Sequence, residues 1–307
     1  MDSKRILTLA LGCLLSLELS FAQEESLPFV RIGRDPVAGA MGFAGAAASS
    51  ETAYSSFRNV SVVPLSENRL AAGFSYQNWA PDGVKSSNMN FGASFKAGRF
   101  GFALGGAYQS GDEYSVVDAT GASKGTFKPN DLLVNGGVAF GILDDLSAGV
   151  NVRYASQKLT SEDSYSAVCA DVFLTYRLSG LNITAGVSSL GSSVKSASGD
   201  SFSLPASATI GADWTGTFSE SHGVRVAADV DYFFSGNLTV AAGAQYSFKD
   251  MVFARAGYHF GTKNAVLPSF ATVGLGVKFF GVSVDVAYLT ANEALGNTLT
   301  VGLGYRF

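Results

Sequence analysis

The residues best placed to do chemistry are charged side chains set at every second position of otherwise apolar segments. They are Arg153, Asp171, Arg177, Arg225, Asp229, Asp231, Arg255, Lys278, Asp285 and Arg306, and His259 falls in the same phase. Charges buried on one face of a sheet can serve as a polar lining that contacts a plug or a permeant. They can also neutralise one another in an ion-pair network. Mixed signs favour the network, because an ion-selective ring carries one sign. Other chemistry finds little support. His222 and His259 lie far apart, and Cys169 is the one cysteine outside the leader discussed below, a poor set for a metal. Serine is abundant, yet none sits in a nucleophile elbow. No catalytic residue, cofactor or metal ligand is therefore expected. Cys169 shares the phase of Asp171 and Arg177 and reads as a small filler.

The elements that must position these residues are β-strands. In the last segment Leu299, Val301, Leu303, Tyr305 and Phe307 alternate with Thr300, Gly302, Gly304 and Arg306. A period of two sends successive side chains to opposite faces of a sheet. The pattern predicts about fourteen strands, at 69–78, 87–96, 99–109, 131–141, 146–156, 166–177, 180–190, 205–216, 222–233, 237–247, 251–260, 268–279, 281–290 and 297–307. Most run ~10 residues, the length that crosses a bilayer at a tilt. Long connections (79–86, 110–130, 157–165, 191–204, 261–267, 291–296) alternate with tight ones such as Ala97-Gly98 and Ser179. Outer-membrane barrels have this rhythm, with long loops outside and short periplasmic turns.

A soluble sandwich also alternates. The lipid reading is preferred because the strands are long, their number is even and the polar face is rich in small residues. Aromatics also gather at the strand ends, with Phe95, Tyr176, Tyr246, Phe248, Phe279 and Phe307 at the turns and Trp79, Tyr154, Tyr232, Tyr258 and Tyr288 at the loops. The fold class expected is all-β, a closed antiparallel transmembrane barrel over residues 67–307.

Composition agrees. The 307-residue chain is 47% hydrophobic, only 15% charged and holds 36 glycines. Residues 1–22 read as a secretory signal peptide, with Lys4 and Arg5, an apolar run over 6–19 and a small-residue cleavage site at Ser20-Phe21-Ala22. A rival lipoprotein signal at Leu11-Gly12-Cys13 is disfavoured, since the hydrophobic run continues past Cys13. Removing the leader takes Lys4, Arg5, Asp2 and Glu18, which leaves the net charge at −4. No basic patch for nucleic acid results. After the leader no apolar stretch is long enough for a membrane helix. Localisation in a Gram-negative outer membrane follows, with membrane lipid as the partner of the apolar face.

Residues 23–66 do not alternate. They are too apolar for a disordered tail. The preferred reading is a compact plug or hatch inside or beneath the barrel, since a fourteen-stranded lumen is wide enough to need filling; the alternative is a short helix packed on the periplasmic rim. Three stretches here, Arg31-Ile32-Gly33-Arg34-Asp35-Pro36, Ala40-Met41-Gly42-Phe43-Ala44-Gly45-Ala46 and Ala53-Tyr54-Ser55-Ser56-Phe57-Arg58-Asn59, resemble the N-terminal signature of the PorV/PorQ family of Bacteroidetes. That family lies within the wider superfamily of the fatty-acid transporter FadL. The likeness continues to Phe307. It implies a fourteen-stranded barrel with an N-terminal hatch, for which Arg31, Arg34, Asp35, Met41, Gly42, Phe57 and Asn59 are the candidate residues. It also implies a docking role in type IX-like protein secretion, with secretion or surface proteins as partners and loops 110–130 and 191–204 as contact surfaces. The alternative is FadL-like passive transport of hydrophobic or small solutes. One departure is that Asn59 is followed by Val60-Ser61, where the family commonly has proline and alanine. Finally, Tyr305 and Phe307 resemble the terminal signal read by the barrel-assembly machinery.

Overall fold

The computed structural model describes residues 26–79, 86–118, 120–160, 164–195, 201–262, 265, 267–290 and 298–307. The signal-peptide reading of residues 1–22 lies outside them. In chain order the strands are β1 (Leu70–Trp79), β2 (Ser86–Ala97), β3 (Phe100–Ser110), β4 (Tyr114–Val117), β5 (Ser123–Phe127), β6 (Asn130–Gly141), β7 (Leu146–Lys158), β8 (Ser164–Leu178) and β9 (Leu181–Gly191). There follow β10 (Val194–Lys195), β11 (Ser201–Phe202), β12 (Ser207–Ser219), β13 (His222–Phe233), β14 (Leu238–Phe248), β15 (Val252–Gly261), β16 (Phe270–Phe279), β17 (Val282–Thr290) and β18 (Thr298–Arg306). Fourteen of them close an antiparallel barrel, and β1 meets β18 in a register that runs from Ala71↔Arg306 to Asn78↔Leu299. The pairs β4–β5 and β10–β11 are separate hairpins within two of the long loops.

Alternation decides which residues go where. Along β2 the burial pattern switches with every residue until its turn-side end. Outward positions carry Phe102, Leu104, Val152, Ile210 and Leu275, all exposed, while inward Ser75, Gln77, Thr175, Thr184 and Thr209 are buried. An apolar band this continuous is untenable in water, and in lipid only a closed barrel pairs every backbone group. Wherever period two is clean the strand limits match those read from the sequence. The discrepancy is largest at the end of β12, read to residue 216 but reaching Ser219. There the alternation fades and the register with β13 shifts between Thr217 and Ser219. β4 and β5 are exposed on both faces and so carry no alternation to read.

The turn side is built from tight hairpins. Ser179-Gly180, Lys249-Asp250 and Phe280-Gly281 all have positive φ at both positions. That is the type I′ geometry, which suits the twist of the flanking strands.

Residues 26–66 lie against the inward faces of strands on both sides of the barrel. Pro36–Ala40 is a short helix capped by Asp35, which accepts from Val37 N at 2.9 Å, with Pro36 at the position where a missing N–H costs nothing. Ser55–Arg58 and Val60–Leu65 form two further turns of helix. Val60–Leu65 packs on β3, β6 and β7, and Pro36–Ala40 on β16 and β17. Glycine in the wall makes the approach possible. An added Cβ at Gly92, Gly149 or Gly257 would lie 2.4, 2.7 or 2.2 Å from Ala53, Val60 or Met41. Gly42 itself needs its residue type, with φ +71° and Tyr258 O 2.6 Å from where a Cβ would be. The segment's contacts are thus with inward-facing residues of the wall.

Candidate functional site: the lumen and its N-terminal segment

The inward charges fall into two tiers. On the loop side, Arg31 and Arg58 of the N-terminal segment converge on Asp231 at 3.4 and 3.1 Å, and Arg58 also reaches Asp229 at 3.3 Å. Asp229 accepts from the backbone N–H groups of Gly45 (2.8 Å) and Ala46 (2.9 Å) as well. Asp171 gathers Arg153 (2.6 Å), Asn151 (2.9 Å) and the N–H of Ser189 (2.8 Å), which sits in a left-handed conformation where the β8–β9 register shifts. On the turn side Arg225 pairs with Asp213 (2.8 Å), Arg255 with Asp285 (2.7 Å), and Arg306 with Glu51 of the segment (2.5 Å).

Every inward charge read from the alternation therefore lies on the inward face, but two belong to the rim and not to these tiers. Lys278 pairs with the exposed Asp250 of the neighbouring turn. Arg177 is half-buried next to the Ser179-Gly180 turn. Both stand close to a strand end, where the inward direction already opens into the periplasmic mouth. Alternation gives the face of a side chain but not its depth.

His259 is buried, stacked on Phe270 at 4.8 Å between ring centres, with Phe43 edge-on at 6.3 Å. Its Nδ1 lies 3.3 Å from Gly42 O, so that nitrogen carries the proton. Cys169 is buried and free. Among the described residues no three His, Cys, Asp or Glu side chains are arranged to hold a metal ion.

The segment is pinned at other points by neutral groups. Asn59 Nδ2 donates to Ala46 O (2.8 Å), Thr175 Oγ1 (3.1 Å) and Thr184 Oγ1 (2.9 Å). Its Oδ1 accepts from Ser61 N (2.9 Å) and Ser61 Oγ (2.6 Å). Where the resembling family has a proline to fix this turn, the Asn59 side chain fixes it. Gly42 N donates to Thr272 Oγ1, which in turn donates to Ala40 O, both at 2.9 Å. Ser75 donates to Arg34 O at 2.7 Å, and Asn151 to Ser56 O at 2.8 Å. Met41 is fully buried between Gly243 and Gly257, and Phe57 packs below the guanidinium of Arg34, whose carbon is 5.3 Å from the ring centre.

Sequence reasoning missed four of these charges. Asp213 has the same phase as Thr209 and Gly211 on β12 and was within reach. Arg58 lies in a recognised stretch. Asp131 shares the inward phase of Leu133 and Asn135 on β6 and was also within reach, whereas Glu51 had no periodic signal. Asp35 faces the turn-side tier. Burial and the nearby Glu51 push its carboxyl up to about 7.

Voids remain between the segment and the wall. One of about 90 Å³ lies at the centre, bordered by Arg31, Arg34, Phe43, Phe57, Arg58 and Arg153. One of about 20 Å³ lies beside Asp35 and Glu51, and one of about 30 Å³ beside His259 and Phe233. A water needs about 10–15 Å³ of such space, so the two smaller voids hold a few waters at most.

The fold defines a class: a closed, fourteen-stranded transmembrane β-barrel. Solved barrels are similar in fold over nearly the whole chain. The toluene transporter TbuX of Ralstonia pickettii superposes with a TM-score of 0.62 at 14% identity, covering 90% of this chain and 98% of that one. The Pseudomonas putida toluene transporter TodX gives 0.59 at 14% identity, covering 89% and 98%. A Pseudomonas aeruginosa FadL homologue gives 0.54 at 12% identity, covering 90% and 99%. At these identities the likeness is one of fold. No protein-family model and no curated protein matches the sequence.

Proposed function

We propose that this chain is a passive transporter of small hydrophobic molecules across a Gram-negative outer membrane, with residues 26–66 as its hatch. The observation that carries this reading is the seating of the segment. It is anchored to opposite walls by hydrogen bonds and ion pairs, and the voids described beside it are small. A barrel that served only as a rigid support would have no use for a wide lumen filled with a separate, polar-anchored segment. The likeness in fold to toluene transporters supports the same reading. Apolar solutes need no energy source to move down a gradient. They need a path through the polar lipopolysaccharide layer and a barrier that yields.

The test is uptake of radiolabelled toluene by Gram-negative cells that express the chain, alongside a variant lacking residues 28–60. The full chain is expected to speed uptake. The deletion is expected to admit hydrophilic sugars as well, read as swelling of proteoliposomes. Uptake no faster than in cells without the chain would refute transport.

A second reading has one observation of its own. The β4–β5 hairpin gives loop 110–130 a defined shape, with Tyr114 against Phe127 at 5.8 Å and the Tyr114 hydroxyl donating to Leu159 O at 2.7 Å. With the N-terminal resemblance to PorV/PorQ, that supports docking of secretion-associated surface proteins. Affinity purification with loop 110–130 intact and shortened tests it, and recovery of the barrel alone from both counts against it. Under either reading Tyr305 and Phe307, which face outward at the end of β18, serve as the assembly signal.

A further inference from the structure

Among the described residues, Arg31, Arg58, Arg153, Arg225, Arg255 and Arg306 each form an ion pair with a carboxylate in the lumen. Arg34 forms none. It is 4% exposed, and its two terminal nitrogens donate to neutral carbonyls, Nη1 to Ile32 O at 2.6 Å and Nη2 to Phe29 O at 2.8 Å. The charges whose fields reach it are Arg153, already bound to Asp171, and Asp131, which makes no ion pair with it. A guanidinium cannot shed its proton to escape burial, and a buried charge without a counter-ion is among the costliest groups a fold can hold. Satisfying its hydrogens with carbonyls leaves that charge unmatched.

Arg34 also borders the central void of about 90 Å³. The same void is bordered by Ser55 and Arg58, whose Oγ and Nε are buried without a hydrogen-bond partner. The void therefore offers unused donors and the unpaired guanidinium of Arg34. Its opposite wall holds Asp35 and Glu51, of which Glu51 is bound to Arg306.

We propose that this void is a binding site for a small monocarboxylate anion of formate-to-propionate size, whose carboxylate pairs with Arg34. Three features select that class. Arg34 is one guanidinium without an ion pair of its own, so one carboxylate suffices to pair it. At about 90 Å³ the void is smaller than the ~150 Å³ cavity that takes up benzene, so it suits acetate better than an aromatic or long-chain acid. Asp35 on the far side disfavours a second negative charge on the guest. The planar fork of a guanidinium suits a carboxylate better than a spherical halide does. The site stands whether or not the barrel carries hydrocarbons.

The experiment titrates ¹³C-labelled acetate into the full chain in detergent and follows the line width of the free acetate signal. Heat-modifiable gel mobility verifies the barrel in every variant. Saturable broadening is expected, competed by formate and propionate but not by benzoate. Arg34→Gln is expected to weaken acetate by roughly tenfold to a hundredfold, the range for losing a hydrogen bond to a charged group. Arg34→Lys is expected to lose less, because the charge stays. Ser55→Ala removes a hydroxyl with no partner in the protein, so it is expected to leave the barrel's heat shift unchanged while acetate weakens severalfold. Acetate that never saturates, or saturates equally in Arg34→Gln, overturns the proposal. If Arg34→Gln does not fold, unchanged acetate affinity in Ser55→Ala overturns it instead. Toluene uptake by Arg34→Gln cells is read separately: its loss or survival bears on transport, while acetate binding alone decides this site.

Discussion

Asp229→Ala is the substitution that most directly separates the N-terminal segment from the wall. Asp229 Oδ2 accepts from Gly45 N, Ala46 N and Arg58 Nη2. Removing the carboxylate leaves Arg58 its second partner, Asp231. It leaves the two backbone N–H groups with no acceptor. Each buried, unsatisfied N–H costs ~1–3 kcal/mol, so the segment should lose about 2–6 kcal/mol of local stability. At the lower bound that is roughly a thirtyfold rise in the population of opened segment, since 1.4 kcal/mol is a factor of about ten. Native-state hydrogen exchange in detergent reads this amide by amide. Gly45, Ala46 and their neighbours over 38–48 should exchange faster by at least that factor, while amides at the middle of β7 and β8 keep their protection. Unchanged protection at 38–48 would refute the anchoring role. Equal loss in β7 and β8 would refute the view that the segment opens as a unit of its own.

Further expectations follow from other contacts. Arg255→Met should lower the detergent unfolding midpoint markedly by stranding the buried carboxylate of Asp285, a loss of ~3–5 kcal/mol for a broken buried pair, and the double change with Asp285→Leu should restore much of it. Gly42→Ala should loosen the 38–48 amides without unfolding the barrel, because its Cβ would meet the β15 backbone at positive φ. Asp35 has a carboxyl raised to about 7, above the ~3.9 of an unfolded chain. A raised acid contributes stability that is present in acid and lost as the pH climbs from about 4 through about 7. Opening of residues 33–41, corrected for intrinsic exchange, should therefore grow between pH 5 and pH 8, and Asp35→Asn, which keeps a capping oxygen, should flatten that dependence.

Much of the wall was legible because one physical rule, the alternation of lipid and lumen, governs each residue of β2 or β13. The same rule placed Asp229 and Asp285 inward. It could not state depth, which is why Lys278 and Arg177 were read with the deeper charges. Pairing was partly within reach. Arg153 and Asp171 lie on adjacent strands, where Asn151 is opposite Asp171, so a known register brings them together. Arg255 and Asp285 lie on β15 and β17 with β16 between them, and the bare Gly276 lets their side chains meet across it. The course of residues 26–66 was not legible beyond its exclusion from the strands. Asn59 is held by Thr175 and Thr184 from more than a hundred positions away, and no local pattern encodes such a partner.

The seam between β1 and β18 has a consequence for the order of biogenesis. β1 follows directly on the internal segment, and β18 carries Arg306, which grips Glu51 and donates to Ser50 O at 3.2 Å. The wall can be completed only once β18 has been synthesised, and the strand that completes it also holds the segment. Ring closure therefore also completes the hold on residues 50 and 51, and a chain lacking β18 should expose that stretch to protease on the periplasmic side. After closure the segment is tethered through β1 to a ring without a free edge, so it can unravel in place but cannot slip out sideways.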